Sequence, residues 1–483
     1  MNKKYLYCLL IPLLLAGCSN QNQEDNGEKI IDDSNAIVKT DVSIDFLCMV
    51  SETYLPKLQA MVNQFMIQEP HVTVNLSNPL GAGNYTVLEK NVVAGFFKNN
   101  YPDLVQCYPD NVVKYIARGY AVELDEYLNN IDYGVIRNNE TDYIQSFLNE
   151  GASYPVAGTY SLPFCKSTEL LYYNADALLG LQLTGINEGN EIDEEYLNNL
   201  TWDEVFDNLC PALATYNDSL PDDQKIYNKT TNSALFTYDS DENFFITLAN
   251  QYGYGYTGFD ESGNSSIDFD NDGMKNLMRK LKAAKDDGYL HTRGSLNNYV
   301  SELFTKKEAL FTVSSTAGLS YNYSFNDPFA VGVAKIPHAA GREYSSINQG
   351  PSVCILDHKD ENRSLASYLL WKFITNENNA SDWFLTTGYM GIRNSCYTNE
   401  EYLKKLDTDG VTDLYELAKA ENLKKIAEVS ALTFNTPVFK GSGDARSNVG
   451  KLITNCLTSD DLESEIDSLF TTASEETKSH LAN

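Results

Sequence analysis

Two hydrophobic rhythms alternate along the first quarter of the chain. From Val42 to Val50 the pattern is strand-like, and Ser51 then opens a stretch in which Leu55, Leu58, Val62 and Phe65 recur at helical spacing until Pro70 ends it. Val72, Val74 and Leu76 restore the period of two. A turn at Gly81–Gly83 leads through Asn84 and Tyr85 into a second helix reaching Phe97. Asp103 to Cys107 predicts a strand behind Pro102. Asp110 is expected to cap a helix carrying Val113, Ile116 and Ala117, which Gly119 stops. Strands alternating with helices predict an α/β lobe with a partly parallel sheet.

The stretch Ser161–Asn174 reads SLPFCKSTELLYYN. Leu170 to Tyr173 predicts a buried strand, entered through Lys166, Ser167 and Thr168. Those polar residues suit either a ligand cleft at a crossover between two sheets or a solvated lead-in, and Lys166 reads as solvated. Further on, Thr201 with Glu204 forms a capping box ahead of Val205, Phe206 and Leu209. Residues 228–257 are crowded with aromatics; most are core, and one of Phe244 and Phe245 can face a cleft. IDFDNDG at Ile267 imitates the start of a calcium loop, but the twelfth position from Asp268 is Arg279, where such a loop needs a bidentate Glu. A strand and turn before a helix is the better reading. Two more polar junctions follow apolar strands or precede them: Ser314–Gly318 after Ala309–Val313, and Asn348–Ser352 before Val353–Leu356. Helix Leu365–Thr375 carries Trp371 inward, Thr387–Tyr389 forms a turn presenting an aromatic, and the chain from Val411 is mostly helical with a Gly/Ser-rich interruption at Lys440–Arg446.

At 483 residues the chain exceeds one ordinary core, and its 42% hydrophobic and 21% charged content is that of a folded protein. The net charge of −31 arises without any Lys/Arg cluster, which argues against nucleic acid as a partner. The five histidines are isolated, with no paired metal spacing, nucleophile elbow or P-loop, so no metal or cofactor is expected. Carboxylates are plentiful throughout, which leaves a surface-anchored sugar hydrolase as the alternative from a different class. Past the leader, seven scattered cysteines without a C-x-x-C pair suit buried small hydrophobes.

The N-terminus is an export signal: Lys3 and Lys4 precede an apolar run from Tyr5 to Leu15, too short to span a bilayer as a mature helix. Ala16 and Gly17 directly before Cys18 resemble the lipobox of bacterial lipoproteins, which implies a lipid on Cys18, a signal over 1–17 and a flexible polar tether over 18–41.

The segments YPDLVQCYPDNVVKYI at Tyr101, LPFCKSTELLYYN at Leu162, LTWDEV at Leu200 and KKEALFTVSSTAGL at Lys306 carry a wider resemblance. VGVAKIPHAAG at Val331, NQGPS at Asn348 and TTGYMGIRNSCY at Thr386 add to it. In number, order and spacing they resemble the extracytoplasmic solute-binding proteins of ABC importers, extracellular family 1, in particular the glycerol-3-phosphate/maltodextrin-binding group. The resemblance implies a two-lobed, type II periplasmic-binding-protein-like α/β fold with a hinge of extended crossovers. Its expected lobes are 42–162 plus 315–350 and 163–314 plus 351–483. It implies a monomer that captures a sugar or polyol phosphate and delivers it to permease subunits, with no catalysis. The ligand positions it implies are Tyr85, Ser167, Ser314, Gly350 and Tyr389, with a phosphate-associated Arg near Arg446. Pro109–Asp110 stands where the family has a ligand-binding Glu, and Phe244 and Phe245 stand near its cleft tryptophans.

Overall fold

The computed structural model describes residues 35–79, 81, 85–136 and 142–482. Cys18, Gly83 and Asn84, named above, lie outside them. Fourteen strands are present among the described residues: β1 Val42–Leu47, β2 Val72–Ser77, β3 Leu104–Cys107, β4 Leu162–Pro163, β5 Glu169–Asn174, β6 Phe236–Tyr238 and β7 Thr257–Phe259, then β8 Ser265–Ile267, β9 Leu290–Thr292, β10 Phe311–Ser315, β11 Val331–Lys335, β12 Ser346–Ile347, β13 Ser352–Ile355 and β14 Thr433–Phe434. They build two five-stranded sheets, β2-β1-β3-β13-β4 and β11-β5-β10-β6-β9, and two small pairs, β12-β14 and β7-β8.

Alternation of side chains along buried strands places successive residues in different cores. In the first sheet Leu104, Val353 and Ile355 face one core while Val105 and Cys354 face another. Helices Leu55–Gln68 and Glu361–Ile374 close the first core, where the Phe65 and Phe373 rings lie 5.8 Å apart. Trp371 is fully buried there, and its indole N–H donates to the Pro163 carbonyl at 2.9 Å. Helices Tyr85–Phe96 and Pro109–Ile116 cover the opposite face through Leu88, Val92, Val112 and Tyr115.

The strand β5 divides in the same way. Leu170 and Tyr172 point toward helix Leu414–Val429, whereas Leu171 and Tyr173 join the core of the second sheet with helices Asp241–Tyr252, Asp272–Asp286 and Ser442–Thr458. Each such side chain removed from water stabilises the lobe by about 1.5–3 kcal/mol. Asn271 caps helix Asp272–Asp286, its side-chain oxygen accepting from the Met274 N–H at 2.9 Å, so the IDFDNDG stretch is a strand end and helix start. All seven described cysteines are free and buried, and burial pushes the Cys48 thiol up to about 12.

The structure redraws the expected lobe boundaries. β11, within the 315–350 segment expected in the first lobe, pairs with β5 in the second sheet. β13, expected in the second lobe, lies antiparallel between β3 and β4 in the first sheet. A buried apolar strand announces itself in sequence but not its partner, and here the partners are exchanged. Two smaller corrections concern helix starts. Tyr108, not Asp110, is the N-cap of Pro109–Ile116, and the expected interruption at Lys440–Arg446 ends at Gly441, so that Arg446 sits in the first turns of Ser442–Thr458.

Candidate functional site

Extended segments carry the chain between the sheets and lie against each other. The Ser167 N–H donates to the Gln349 carbonyl at 2.8 Å and the Gln349 N–H returns to Ser167 O at 2.9 Å. Beside them β12 runs parallel to β14, and Asn348 N–H donates to Phe434 O at 2.8 Å. Gly350 has φ +90°, and a Cβ there would lie 2.1 Å from the Cys165 carbonyl oxygen. Only glycine fits this close crossing without strain.

Lys166 is not solvated. It is completely buried, its ammonium paired with the Glu150 carboxylate and donating to Gly350 O at 3.1 Å. Glu150, on the helix Gln145–Glu150, also accepts from Asn348 Nδ2 and from the Ser352 hydroxyl, both at 3.2 Å. Asn348 Nδ2 donates further to Asn435 Oδ1 at 2.6 Å. One carboxylate of the first lobe thus gathers both crossover segments at the hinge, where it also borders the cavity above.

Above the hinge a cavity of about 330 Å³ has walls from both lobes. The first lobe contributes Tyr85, Tyr108, Asp110 and Asn111, the hinge Asn348, Gln349 and Gly350, and the second lobe Glu242, Gly443 and Arg446. An open basin of about 800 Å³ continues it past Thr86, Glu242 and Arg446 to Asp239, Arg293 and Tyr299. The Tyr85 and Tyr108 rings meet edge to face at 4.7 Å, and the Tyr85 hydroxyl accepts from Gln106 Nε2 at 3.1 Å. Burial, then the neighbouring phenols Tyr108 and Tyr389, hold the Tyr85 hydroxyl well above its ordinary pKa, so it is a neutral donor.

Arg446 is the cation of the inner cavity. Burial opposes its charge, but Glu242 and Asp110 outweigh that cost and hold its pKa above the ordinary value. Its guanidinium donates to Asn243 Oδ1. Asp110 accepts from the Ser442 hydroxyl at the start of the helix that carries Arg446, so a first-lobe carboxylate reaches across the cleft.

Of the residues expected to bind ligand, the structure brings Tyr85, Asp110, Gly350 and Arg446 together at this cavity. Ser167 is buried in the hinge, 3% exposed. Ser314 is likewise buried, its hydroxyl donating to Asp239 Oδ2 at 3.4 Å, and Asp239 is the group that meets the basin. Tyr389 lies beside the crossover, since the next residue's N–H donates to Lys166 O at 2.6 Å, while Thr387 and Gly388 line a separate void of about 30 Å³. Phe244 is a correction: it is fully buried in the second core, stacked 4.2 Å from Tyr238 and 5.1 Å from Trp202. The helix Asp241–Tyr252 turns Glu242 to the cleft and Phe244 away from it. Phe244→Leu is therefore expected to cost about 1–2 kcal/mol of stability in a urea titration while leaving ligand affinity unchanged; weaker binding in a fully folded variant would contradict this placement. Sequence reasoning missed Tyr108, Glu242 and Glu150. A hint for Tyr108 existed in its place directly before Pro109, at a helix start.

Residues 60–407 match the family model described as bacterial extracellular solute-binding protein. No curated protein sequence matches the chain. Solved structures with the same fold include UgpB from Mycobacterium tuberculosis in complex with glycerophosphocholine, 17% identical with TM-score 0.67 over 91% of this chain and 98% of that one. The GacH receptor of Streptomyces glaucescens, solved unliganded and with acarbose, is 17% identical with TM-score 0.66, covering 92% and 100%. The maltose/maltodextrin-binding domain MalE of Bdellovibrio bacteriovorus bound to maltotriose is 14% identical with TM-score 0.64, covering 92% and 100%.

Proposed function

The chain belongs to the bacterial extracellular solute-binding protein family, and from that premise we propose that it captures a carbohydrate in the interlobe cleft and hands it to the permease subunits of an ABC importer. It does so as a monomer held to the extracytoplasmic face of the membrane by a lipid on Cys18. The observation that carries this reading is the 330 Å³ cavity with walls from both lobes and a floor of hinge residues. A solute touching both walls stabilises the closed form by contacts that the open form lacks, which is what makes a hinge protein a carrier.

The lining favours a neutral polyol over a polyol phosphate. The tyrosines Tyr85 and Tyr108 offer apolar faces to C–H bonds, while Asn111, Asn348 and Gln349 offer donors and acceptors to hydroxyl groups. Arg446, the residue for a phosphate, faces Glu242 and Asp110, and an added anion would compete with both carboxylates. The glycerophosphocholine, acarbose and maltotriose of the neighbouring structures span both ligand types.

Native mass spectrometry of the purified protein, followed by calorimetry with maltotriose and with glycerol 3-phosphate, tests this. A retained hexose oligomer, or binding of maltotriose alone, is the expected result; retention of glycerol 3-phosphate would overturn the sugar reading. Release of cleaved products from an oligosaccharide would favour the hydrolase instead. Tyr85→Ala is expected to weaken sugar binding about tenfold, or roughly 1.4 kcal/mol, through loss of one ring face. An unchanged titration would remove Tyr85 from the site.

A further inference from the structure

Behind Arg446 lies a buried polar chain that the capture of a solute does not by itself explain. Asn243 occupies its centre. One Nδ2 hydrogen goes to Glu169 Oε1 at 2.8 Å and the other to Gln349 Oε1 at 2.7 Å, leaving Oδ1 to accept from Arg446. Glu169 is 2% exposed at the start of β5, and its second oxygen accepts from the Tyr238 hydroxyl at 2.5 Å. Gln349 is the hinge residue whose backbone pairs with Ser167. The amide orientation of Asn243 is set from behind, because the ionised Glu169 carboxylate can only accept and so holds its NH₂, with Gln349 Oε1 turned to match, and the amide oxygen faces Arg446.

We propose that Glu169, acting through Asn243, is a positioning residue for Arg446 and couples solute capture to release of a proton. With Glu169 ionised, Asn243 must present Oδ1 to the guanidinium. With a proton on Glu169 Oε1, that atom becomes a donor and matches an amide oxygen instead. Asn243 then turns over, Gln349 turns its Nε2 toward the same oxygen, and the NH₂ of Asn243 faces Arg446, where two sets of donors meet. The guanidinium loses its hold and the site its preorganisation.

Burial pushes the Glu169 carboxyl up to about 7, against the bonds from Tyr238 and Asn243 and the charge of Arg446, with Glu242 adding to the rise. The titratable groups facing it are Tyr238 from β6, Tyr344, Glu242 from helix Asp241–Tyr252 and Arg446 from helix Ser442–Thr458. Burial raises both tyrosines above their ordinary values, with the Glu169 charge adding at Tyr238 and hydrogen bonds opposing at Tyr344, so neither competes for the proton near neutrality. If binding favours the ionised form by one unit, affinity is about fivefold weaker at pH 6 than at pH 8.

The coupling rests on the sugar-capture reading and adds to it that Arg446, which lines the cavity, donates to a sugar hydroxyl, so the experiment separates the two. In ligand-free protein, the Arg446 side-chain N–H resonance, assigned by its loss in Arg446→Lys, is followed from pH 8 to pH 6. It is expected to shift in the wild type and to stay fixed in Glu169→Gln. A resonance indifferent to pH, or a response that survives in Glu169→Gln, overturns the relay. Calorimetry with maltotriose at the same two pH values is expected to show the fivefold change in the wild type and none in Glu169→Gln; a flat wild-type profile overturns the coupling. Arg446→Ala addresses the site itself. Undiminished maltotriose affinity in that variant sinks the assignment of Arg446, whereas weakened affinity with an unaltered pH response in Glu169→Gln sinks the relay alone.

Discussion

Lys166→Ala is expected to lower the stability of the protein by about 3–5 kcal/mol, a far larger effect than an exposed lysine would give. The ammonium is wholly buried, and the carboxylate it pairs with is nearly so. Removing the lysine leaves Glu150 as an uncompensated, nearly buried charge at the edge of the cavity, with the Asn348 amide and the Ser352 hydroxyl as its remaining protein donors. The cost therefore comes from the stranded anion rather than from the net worth of the pair. That distinction is testable with a second variant. Lys166→Met together with Glu150→Gln removes both charges, keeps an acceptor for the Asn348 amide while its own NH₂ donates to the Ser352 hydroxyl oxygen, and is expected to recover most of the loss. Urea denaturation followed through Trp371 and Trp383, both buried in the first lobe's core, reads the two variants directly. A loss below about 1 kcal/mol for Lys166→Ala would mean that water reaches the hinge and that the pair is effectively a surface one.

The contrast between Lys166 and its neighbours shows how far the sequence could be read. The strand β5 was legible because four consecutive apolar residues have few alternatives to burial, and the α/β class followed from the alternation of rhythms over residues 42–119. Tyr85 and Gly350 could be placed at a cleft through the resemblance to the solute-binding family, while the residues themselves offered only the polar junction at 348–352. What could not be read was pairing at long range. The partners of Lys166 are Glu150 and the Gly350 carbonyl, and the second is 184 positions away, so nothing local distinguishes this lysine from a solvated one. The exchanged sheet membership of β11 and β13 has the same origin, since any buried apolar strand satisfies either sheet. Phe244 was misplaced because helix phase, with Glu242 toward the cleft and Phe244 toward Trp202, depends on where the helix sits and not on which residues it contains.

Gly350→Ala is the substitution expected to damage both stability and capture, by at least about 3 kcal/mol of stability and with loss of measurable sugar binding. Two independent costs meet at this residue. Its φ of +90° lies where a side chain is strained even in open space, and the space is closed. An added Cβ would stand 2.1 Å from the Cys165 carbonyl oxygen, 2.9 Å from Ser167 N and 3.0 Å from the Lys166 Cα, all backbone atoms that cannot swing aside. Relief requires the 165–167 and 349–350 segments to part. That separation breaks the Ser167–Gln349 pair of hydrogen bonds and draws the Gly350 carbonyl away from the buried ammonium. The loss should spread beyond the cavity wall, because the same segments carry Gln349 to Asn243 and thus to Arg446. A cleft residue that merely touched the solute would behave differently. Tyr85→Ala loses the ring's packing on Tyr108 and so lowers the urea midpoint somewhat, but the folded protein should still bind sugar about tenfold more weakly, whereas Gly350→Ala should show the larger midpoint loss and no measurable binding. Measuring the two variants side by side separates a wall of the site from the hinge beneath it, and a Gly350→Ala protein with a wild-type midpoint would show that the crossovers tolerate being pushed apart.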